Sequence, residues 1–443
     1  MTTLTVDTPT VFETTESAVR SYSRAFPAVF ATAKGDLLTT QDGVRYIDFL
    51  SGAGTLNYGH NPDPIKDELV AYLQNDGLVH GLDLSTSAKA AFLQALRTHI
   101  LEPRDLDYKV QFTSPSGTNA VEAALKVARL STGRTNVIAF GGGFHGVSTA
   151  SLAATGSGYY RQGLEATLPQ VTHIPYPHSP LGEFDSIGLL RHYLEDPSSG
   201  VDKPAAVLLE TVQGEGGVWV APVPFLRELR TLCDQYDIRL IVDDIQAGCG
   251  RTGDFFSFER AGIVPDLVTL SKSIGGYGLP MAVVLIKPEY DIWRPGQHNG
   301  TFRGNQLAFV AAAAAIRHYW SDDSFLKQIR TKAELVTDLL ERRVGRTYGA
   351  GIRGLGLMQA VDLSTVPGVE AGDVSRRCFE QGLIIETCGR QDEVLKILPP
   401  LTISQVHLSA GLNTLIEALA ALSPAPLIGD TRGDLPTNEV HAA

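Results

Sequence analysis

Cysteine, methionine and tryptophan are all scarce in this chain of 443 residues, with four, three and three copies. Cys233, Cys249, Cys378 and Cys388 show none of the short paired spacings of a zinc site, and a chain this large needs no disulfide framework. They read as free thiols, which fits a reducing cytoplasm. Long apolar runs are also missing. Residues 307–316 form the most apolar stretch, but it is alanine-rich and far too short for a bilayer, so it reads as a buried helix. Positive charge is the minority sign: 37 basic residues against 49 acidic ones give −12, with no basic tract. That excludes nucleic acid and anionic membrane as main partners. Residues 1–18 are polar and threonine-rich, without the basic start and apolar core of a secretion signal.

Hydrophobic residues make up 43% of the chain and charged ones 19%, a globular balance with material for more than one core. Short apolar stretches at 108–113, 136–140, 205–211, 239–244, 267–270 and 281–286 read as buried strands. Helical spacing at 119–130 and 223–236 falls between them, and two further helices are expected at 65–75 and 87–100. Buried strands separated by helices predict a mostly parallel sheet covered on both faces. Beyond residue 324 come helices and then strands at 357–362 and 383–387, the mark of a second, smaller domain. The expected division is 1–64 as an N-terminal segment contributing to the small domain and 65–325 as a large domain. The C-terminal small domain would follow at 326–423, and 424–443 would be a polar tail.

In such a sheet ligands bind outside the carboxyl ends of the strands. After the first strand, Ser114-Pro-Ser-Gly-Thr-Asn119 leads into a helix, where free N–H groups suit a phosphate or an ordinary cap. After the second, Gly141-Gly-Gly-Phe-His-Gly146 exposes Phe144 and His145, an aromatic face for a planar ligand or simply a turn whose ring enters the core. The third strand ends at Glu210, and the fourth at Asp243 and Asp244. Such acids call for a cationic partner. The fifth ends at Ser271-Lys272 before a glycine-rich turn. A lysine there is a surface residue or a desolvated amine able to form an imine. Together, a phosphate turn, an aromatic loop, a strand-end acid and a strand-end lysine point to pyridoxal 5′-phosphate.

The motifs Ser116-Gly-Thr-Asn-Ala-Val-Glu-Ala-Ala124, Phe144-His-Gly146, Glu210-Thr-Val-Gln-Gly-Glu-Gly-Gly217, Asp243-Asp-Ile-Gln246, Gly250-Arg-Thr-Gly253, Ser271-Lys272 and Gly300-Thr-Phe-Arg-Gly-Asn305 resemble those of class III (fold type I) aminotransferases over nearly the whole chain. The resemblance implies an α/β fold of that type, with a smaller α+β domain built from both chain ends. It implies that Lys272 bonds to the cofactor aldehyde and shuttles a proton, and that Asp243 pairs with the pyridinium nitrogen. Ile245 and Phe144 would face the ring, with His145, Glu210 and Gln246 beside the cofactor. Gly117 and Thr118 would hold the phosphate, joined by Thr301 of the partner subunit, so the enzyme would be a homodimer or larger with its site at the interface. Glu215, Arg303 and Lys396 are the substrate-side candidates, and no metal is implied.

More narrowly, Ser51-Gly-Ala-Gly-Thr-Leu-Asn-Tyr-Gly-His60 and the stretch ending in Gly300-Thr-Phe-Arg-Gly-Asn305 resemble a branch that uses glutamate as donor. Its members pass the amino group to L-aspartate 4-semialdehyde, giving L-2,4-diaminobutyrate and 2-oxoglutarate, as in ectoine biosynthesis. The alternatives are another ω-aminotransferase with an ornithine- or 4-aminobutyrate-like substrate, an aminomutase or racemase, and a non-catalytic binding protein of the same fold. The retained Lys272 and Asp243 count against the last. Departures from the family pattern are Lys396 where an arginine is common, Arg303 for a glycine, Asp244 for Glu, and Phe144 for Tyr. A lysine is a point charge rather than a fork, so a carboxylate clamp here would be built differently.

Overall fold

The computed structural model of the chain describes residues 8–423. The tail expected at 424–443 lies outside them, and within the expected lead-in Thr8–Thr15 is helical. A seven-stranded sheet forms the centre. Its strands are β1 (Lys109–Phe112), β2 (Val137–Phe140), β3 (Thr172–Ile174), β4 (Ala206–Leu209), β5 (Arg239–Asp243), β6 (Leu267–Leu270) and β7 (Val283–Ile286), in the order β1-β7-β6-β5-β4-β2-β3. Only β7 runs antiparallel to its neighbours. Strands β2, β4, β5, β6 and β7 are buried at every position. That explains their unbroken apolar sequences: with helices on both faces, no residue needs a polar outward side.

Helix α1 (Gly117–Thr132) crosses this sheet, burying Ala120, Val121, Ala124, Leu125 and Ala128, and stops at Gly133 in the left-handed conformation. Helix α2 (Gln306–Tyr319) is the alanine-rich stretch. Its small side chains let it pack closely against helices Ser87–Leu96 and Asp63–Gln74.

Two four-stranded sheets lie outside the central one. In the first, strands Phe30–Lys34, Leu37–Thr40 and Arg45–Asp48 form an antiparallel meander, which Leu383–Ile384 extends by pairing in parallel with Ile47 and Asp48. Residues over 300 positions apart thus share one sheet. The second contains Gly351–Leu355, Met358–Asp362, Val394–Ile397 and Glu386–Cys388. The single strand expected at 383–387 is therefore two, belonging to different sheets. Strands β3, Gly351–Leu355 and Val394–Ile397 have no counterpart in the sequence reading: β3 carries Thr172 and His173, and Gly351–Leu355 carries two glycines and an arginine. Val394–Ile397 is interrupted by Lys396, a charge that proves to be fully buried.

Candidate active site

Lys272 follows β6 and takes up a left-handed backbone conformation, φ 52°. Its Nζ donates to the carbonyl of Ala53 at 2.9 Å. That carbonyl is presented by an unusual turn in which Ser51, Gly52, Ala53 and Gly54 all have positive φ, 50°, 57°, 54° and 85°. For Ser51 and Ala53 this conformation costs about 1–2 kcal/mol each. The turn is held in place by Asp48 Oδ1, which accepts from the N–H groups of Leu50 and Ser51 at 2.8 and 2.7 Å, and by Ser273 Oγ, which donates to Gly54 O at 2.8 Å. Strain concentrated on a segment that meets a buried amine is the signature of a functional site. Burial pushes the Lys272 amine below the usual lysine range and Lys396 adds to this, while Glu215 opposes it.

Asp243 closes β5, beside Thr269 of β6. Its Oδ2 lies 2.7 Å from His145 Nδ1, and its Oδ1 accepts from Thr269 Oγ1 at 3.0 Å and Ile245 N at 3.3 Å. Burial disfavours a charged His145, but the hydrogen bond and charge of Asp243 outweigh it and raise the imidazole above its ordinary value. Asp244 points the other way, as strand alternation requires, and its Oδ2 accepts from Ser257 N at 3.0 Å. Glu210, at the end of β4, joins two loops: Oε1 accepts from Phe144 N at 2.9 Å and Oε2 from Gly214 N at 3.1 Å. Burial raises both Asp244 and Glu210 to about 7.

At the start of α1, Ser116 gives no side-chain cap; its hydroxyl bonds Asn119 Oδ1 instead, at 2.8 Å. The first turn therefore keeps N–H groups available to an anion. A Cβ on Gly117 would stand 3.0 Å from Ile245 Cδ1, so the turn lies directly against Ile245. Thr118 Oγ1 is 2.6 Å from Ser148 Oγ, and a Cβ on Gly146 would sit 2.5 Å from Thr118 Oγ1. Only glycine fits there, which locks the Phe144-His145-Gly146 loop to the helix start. The Phe144 ring meets Tyr160 edge-on at 5.2 Å.

The donor set fits pyridoxal 5′-phosphate: an uncapped helix start for the phosphate, a buried carboxylate for the pyridine nitrogen and a desolvated amine for the aldehyde. Among the described residues no group of three His, Cys, Asp or Glu side chains is placed to hold a metal ion. No helix of theirs is long and apolar enough to cross a membrane.

Of the substrate-side candidates, Glu215 and Lys396 meet: Lys396 Nζ lies 2.6 Å from Glu215 Oε1. Gln246 Nε2 donates to Ala53 O at 3.1 Å and lies 3.3 Å from Glu215 Oε1, tying this pair to the Lys272 turn. Thr301 is exposed, and Arg303 pairs with Asp83 rather than with any of these groups. Two residues absent from the sequence reading complete the cluster. Glu386 Oε1 is 3.1 Å from Lys396 Nζ, and Tyr22 Oη donates to Glu386 Oε2 at 3.0 Å. Glu386 carried a usable signal, an acid closing the apolar run Leu383-Ile-Ile, the same pattern that singles out Glu210. Tyr22 carried none, since nothing local links it to a residue 364 positions away.

The family pattern described as "Aminotransferase class-III" matches residues 18–419. The chain is 55% identical over 409 residues to a diaminobutyrate–2-oxoglutarate transaminase of Vibrio cholerae, covering 92% of this chain and 98% of that one. It is 53% identical over 414 residues to one from Bordetella parapertussis, covering 93% and 94%. Its fold is similar to that of an ornithine aminotransferase from Toxoplasma gondii, with TM-score 0.81, 24% identity and 93% of each chain covered. It is also similar to a transaminase from the marine bacterium Virgibacillus, with TM-score 0.82, 21% identity and 93% and 98% covered. The chain belongs to the class III aminotransferases and is a transaminase that depends on pyridoxal 5′-phosphate.

Proposed function

We propose that this transaminase moves the amino group of L-glutamate to L-aspartate 4-semialdehyde, giving L-2,4-diaminobutyrate and 2-oxoglutarate. The observation that carries this reading is the 53–55% identity, over more than nine-tenths of the chain, to relatives named diaminobutyrate–2-oxoglutarate transaminases. The site chemistry agrees with it. When bound, pyridoxal 5′-phosphate supplies an electron sink for the negative charge left when a proton leaves the substrate carbon.

The side chains divide the remaining work. The Lys272 amine, with its basicity lowered by burial, would take that proton and deliver it to the carbon on the other side of the transferred nitrogen. Asp243 keeps the pyridine nitrogen protonated, and His145 holds Asp243 in position from behind. Gly117 and Thr118 would offer N–H groups to the phosphate, Ile245 and Phe144 would hold the ring, and Gln246 would help to bind the cofactor. Glu210 acts at one remove by bonding the Phe144 loop to Gly214.

Exposed Thr301 and Phe302, with Phe302 64% accessible, support a homodimer in which Thr301 of the partner subunit completes the phosphate site. The charge balance and free thiols support a cytoplasmic enzyme. The pairing of Ile47 with Leu383 supports a small domain assembled from residues 1–64 and 326–423 around a large domain at 65–325.

The test is a half-reaction. Cofactor-loaded enzyme mixed with L-glutamate alone should release one 2-oxoglutarate per site as the cofactor absorbance shifts, and added L-aspartate 4-semialdehyde should then yield L-2,4-diaminobutyrate. An unchanged spectrum with glutamate, alongside conversion by another amine, would contradict the donor. An isomerised substrate without 2-oxoglutarate would mark an aminomutase or racemase.

A further inference from the structure

The two buried lysines of this region are seated on opposite kinds of acceptor. Lys396 Nζ donates to the Glu215 carboxylate at 2.6 Å, which favours the charged ammonium. Lys272 Nζ donates to a neutral group, the Ala53 carbonyl, at 2.9 Å. A carbonyl accepts from an amine or an ammonium and brings no full negative charge to fix the proton in place. Its other lone pair takes Gln246 Nε2 at 3.1 Å, so two side chains saturate it.

This carbonyl is held from both sides. Ser51 and Ala53 adopt left-handed φ against their preference. The Ser51 hydroxyl is buried without a hydrogen-bond partner, so its side chain does not account for that conformation. Asp48 does, since its Oδ1 takes the N–H groups of Leu50 and Ser51. Its Oδ2 lies 2.8 Å from His60 Nε2, so Asp48 and His60 close off the segment 49–59 that carries the turn. His60 is fixed in turn by its backbone, which exchanges two hydrogen bonds with Gly35, at 2.7 and 2.8 Å. On the other side Ser273, next to Lys272, donates from Oγ to Gly54 O at 2.8 Å and accepts there from Asn57 N at 3.2 Å. Lys272 and Ala53 are thereby kept in register.

We propose that the Ala53 carbonyl is the seat of the Lys272 amine whenever that amine is not bonded to the cofactor, and that Asp48, clamped by His60, is the positioning residue for this seat. Amino-group transfer releases the lysine, which must then stay close, take a proton and remain able to return. The seat meets these needs. One N–H holds Ala53 O while the lone pair takes the proton from the substrate carbon, and the ammonium so formed still donates to the same oxygen. The proposal rests on Lys272 as the lysine that carries the cofactor, and not on the identity of the amino donor.

The experiment uses full-length proteins loaded with pyridoxamine 5′-phosphate, which has no aldehyde for a lysine to join. Wild type, Asp48→Ala, Asp48→Asn, Ala53→Pro and Ala53→Gly are labelled with a trace of acetic anhydride, and the acetyl groups are mapped by mass. Asp48→Ala removes the acceptor for Leu50 and Ser51, and Ala53→Pro forbids the left-handed φ without touching Asp48. Both should label Lys272 about three- to tenfold faster than wild type, the worth of one lost hydrogen bond. Asparagine keeps an oxygen for the two N–H groups and glycine accepts the left-handed φ, so Asp48→Asn and Ala53→Gly should label close to the wild-type rate. Lys396 should keep its wild-type rate throughout. An unchanged Lys272 rate in the breaking variants, or an equal rise at Lys396, would overturn the seat. A fast Lys272 in Asp48→Asn would overturn the part given to Asp48. The Ala53 pair decides alone if Asp48→Ala does not fold.

A second measurement follows the cofactor absorbance of proteins loaded with pyridoxal 5′-phosphate, using L-glutamate or any amine that converts it. In Asp48→Ala and Ala53→Pro the limiting rate should fall about tenfold or more with half-saturation nearly unchanged, and Asp48→Asn should recover it. A loss confined to half-saturation would overturn the link to proton transfer. If the cofactor were found on a different lysine, the reading of Lys272 would fail, while the labelling rates would still decide the seat.

Discussion

His145 Nδ1 stands 2.7 Å from Asp243 Oδ2, in a pair whose side chains are 1% and 4% exposed. The pair spans 98 residues of sequence and joins the aromatic loop to the end of β5. Removing one partner leaves a buried carboxylate with only Thr269 and a backbone N–H. His145→Ala should therefore cost roughly 3 kcal/mol in denaturant unfolding and loosen cofactor retention. An unchanged midpoint would show that Asp243 is neutralised by something other than this imidazole.

Asp244 gives a pH signature. Burial raises its carboxyl from 3.8 to about 7. The folded state thus holds this proton more tightly than the unfolded chain does, so the contribution is present in full below pH 3.8 and is lost as pH rises to about 7. Asp244→Asn removes that loss. In paired thermal melts of the cofactor-loaded proteins, the melting temperature of the variant relative to wild type should be higher at pH 8 than at pH 5. A difference independent of pH would mean that Asp244 is ionised in the fold at both values.

Arg251 is wholly buried and joins three distant segments, donating to Asn57 Oδ1 at 2.6 Å, Leu357 O at 3.0 Å and Pro399 O at 2.6 Å. Burial lowers its guanidinium to about 9, yet its fork geometry matches all three acceptors. Arg251→Ala should cost about 3 kcal/mol or more, because it strands those acceptors. Arg251→Lys should recover only part of the loss. Equal stability for Lys and Arg would show that charge, not geometry, is what matters there.

The glycines after Lys272 are not interchangeable. A Cβ on Gly276, at φ +75°, would lie 2.5 Å from Ala311 O of α2, whereas one on Gly275 would find nothing nearer than Met281 Cβ at 3.8 Å. Gly276→Ala should destabilise by about 2 kcal/mol or more, combining left-handed strain with a backbone clash. Gly275→Ala should fall within about 0.5 kcal/mol of wild type. Melting curves for the two variants separate these outcomes, and similar losses would contradict the close approach.

Much of the site was readable because the central strands are short, apolar and uniform, so their ends stand out. Lys272, Asp243 and Glu210 each interrupt such a run, and the fold brings the loops that follow them together. The glycines of the Lys272 turn were legible as a turn, but their purpose was not: Gly276 makes room for the backbone of α2, far away in sequence. Local patterns were silent on Ser51–Gly54, because a left-handed turn containing Ser51 and Ala53 goes against residue preference and exists only through its tertiary contacts. Val394–Ile397 was hidden by Lys396, whose burial depends on Glu215 and Glu386 from two other segments.

The central claim is that Lys272, and not Lys396, is the amine that carries the cofactor. Borohydride reduction of the loaded enzyme, followed by digestion and mass mapping of the pyridoxyl group, tests it directly. The label should fall on Lys272, whose amine burial has made less basic, and should be absent from Lys396, whose amine two carboxylates keep charged. A pyridoxyl group found on Lys396 or any other lysine, with Lys272 unmodified, would contradict the account.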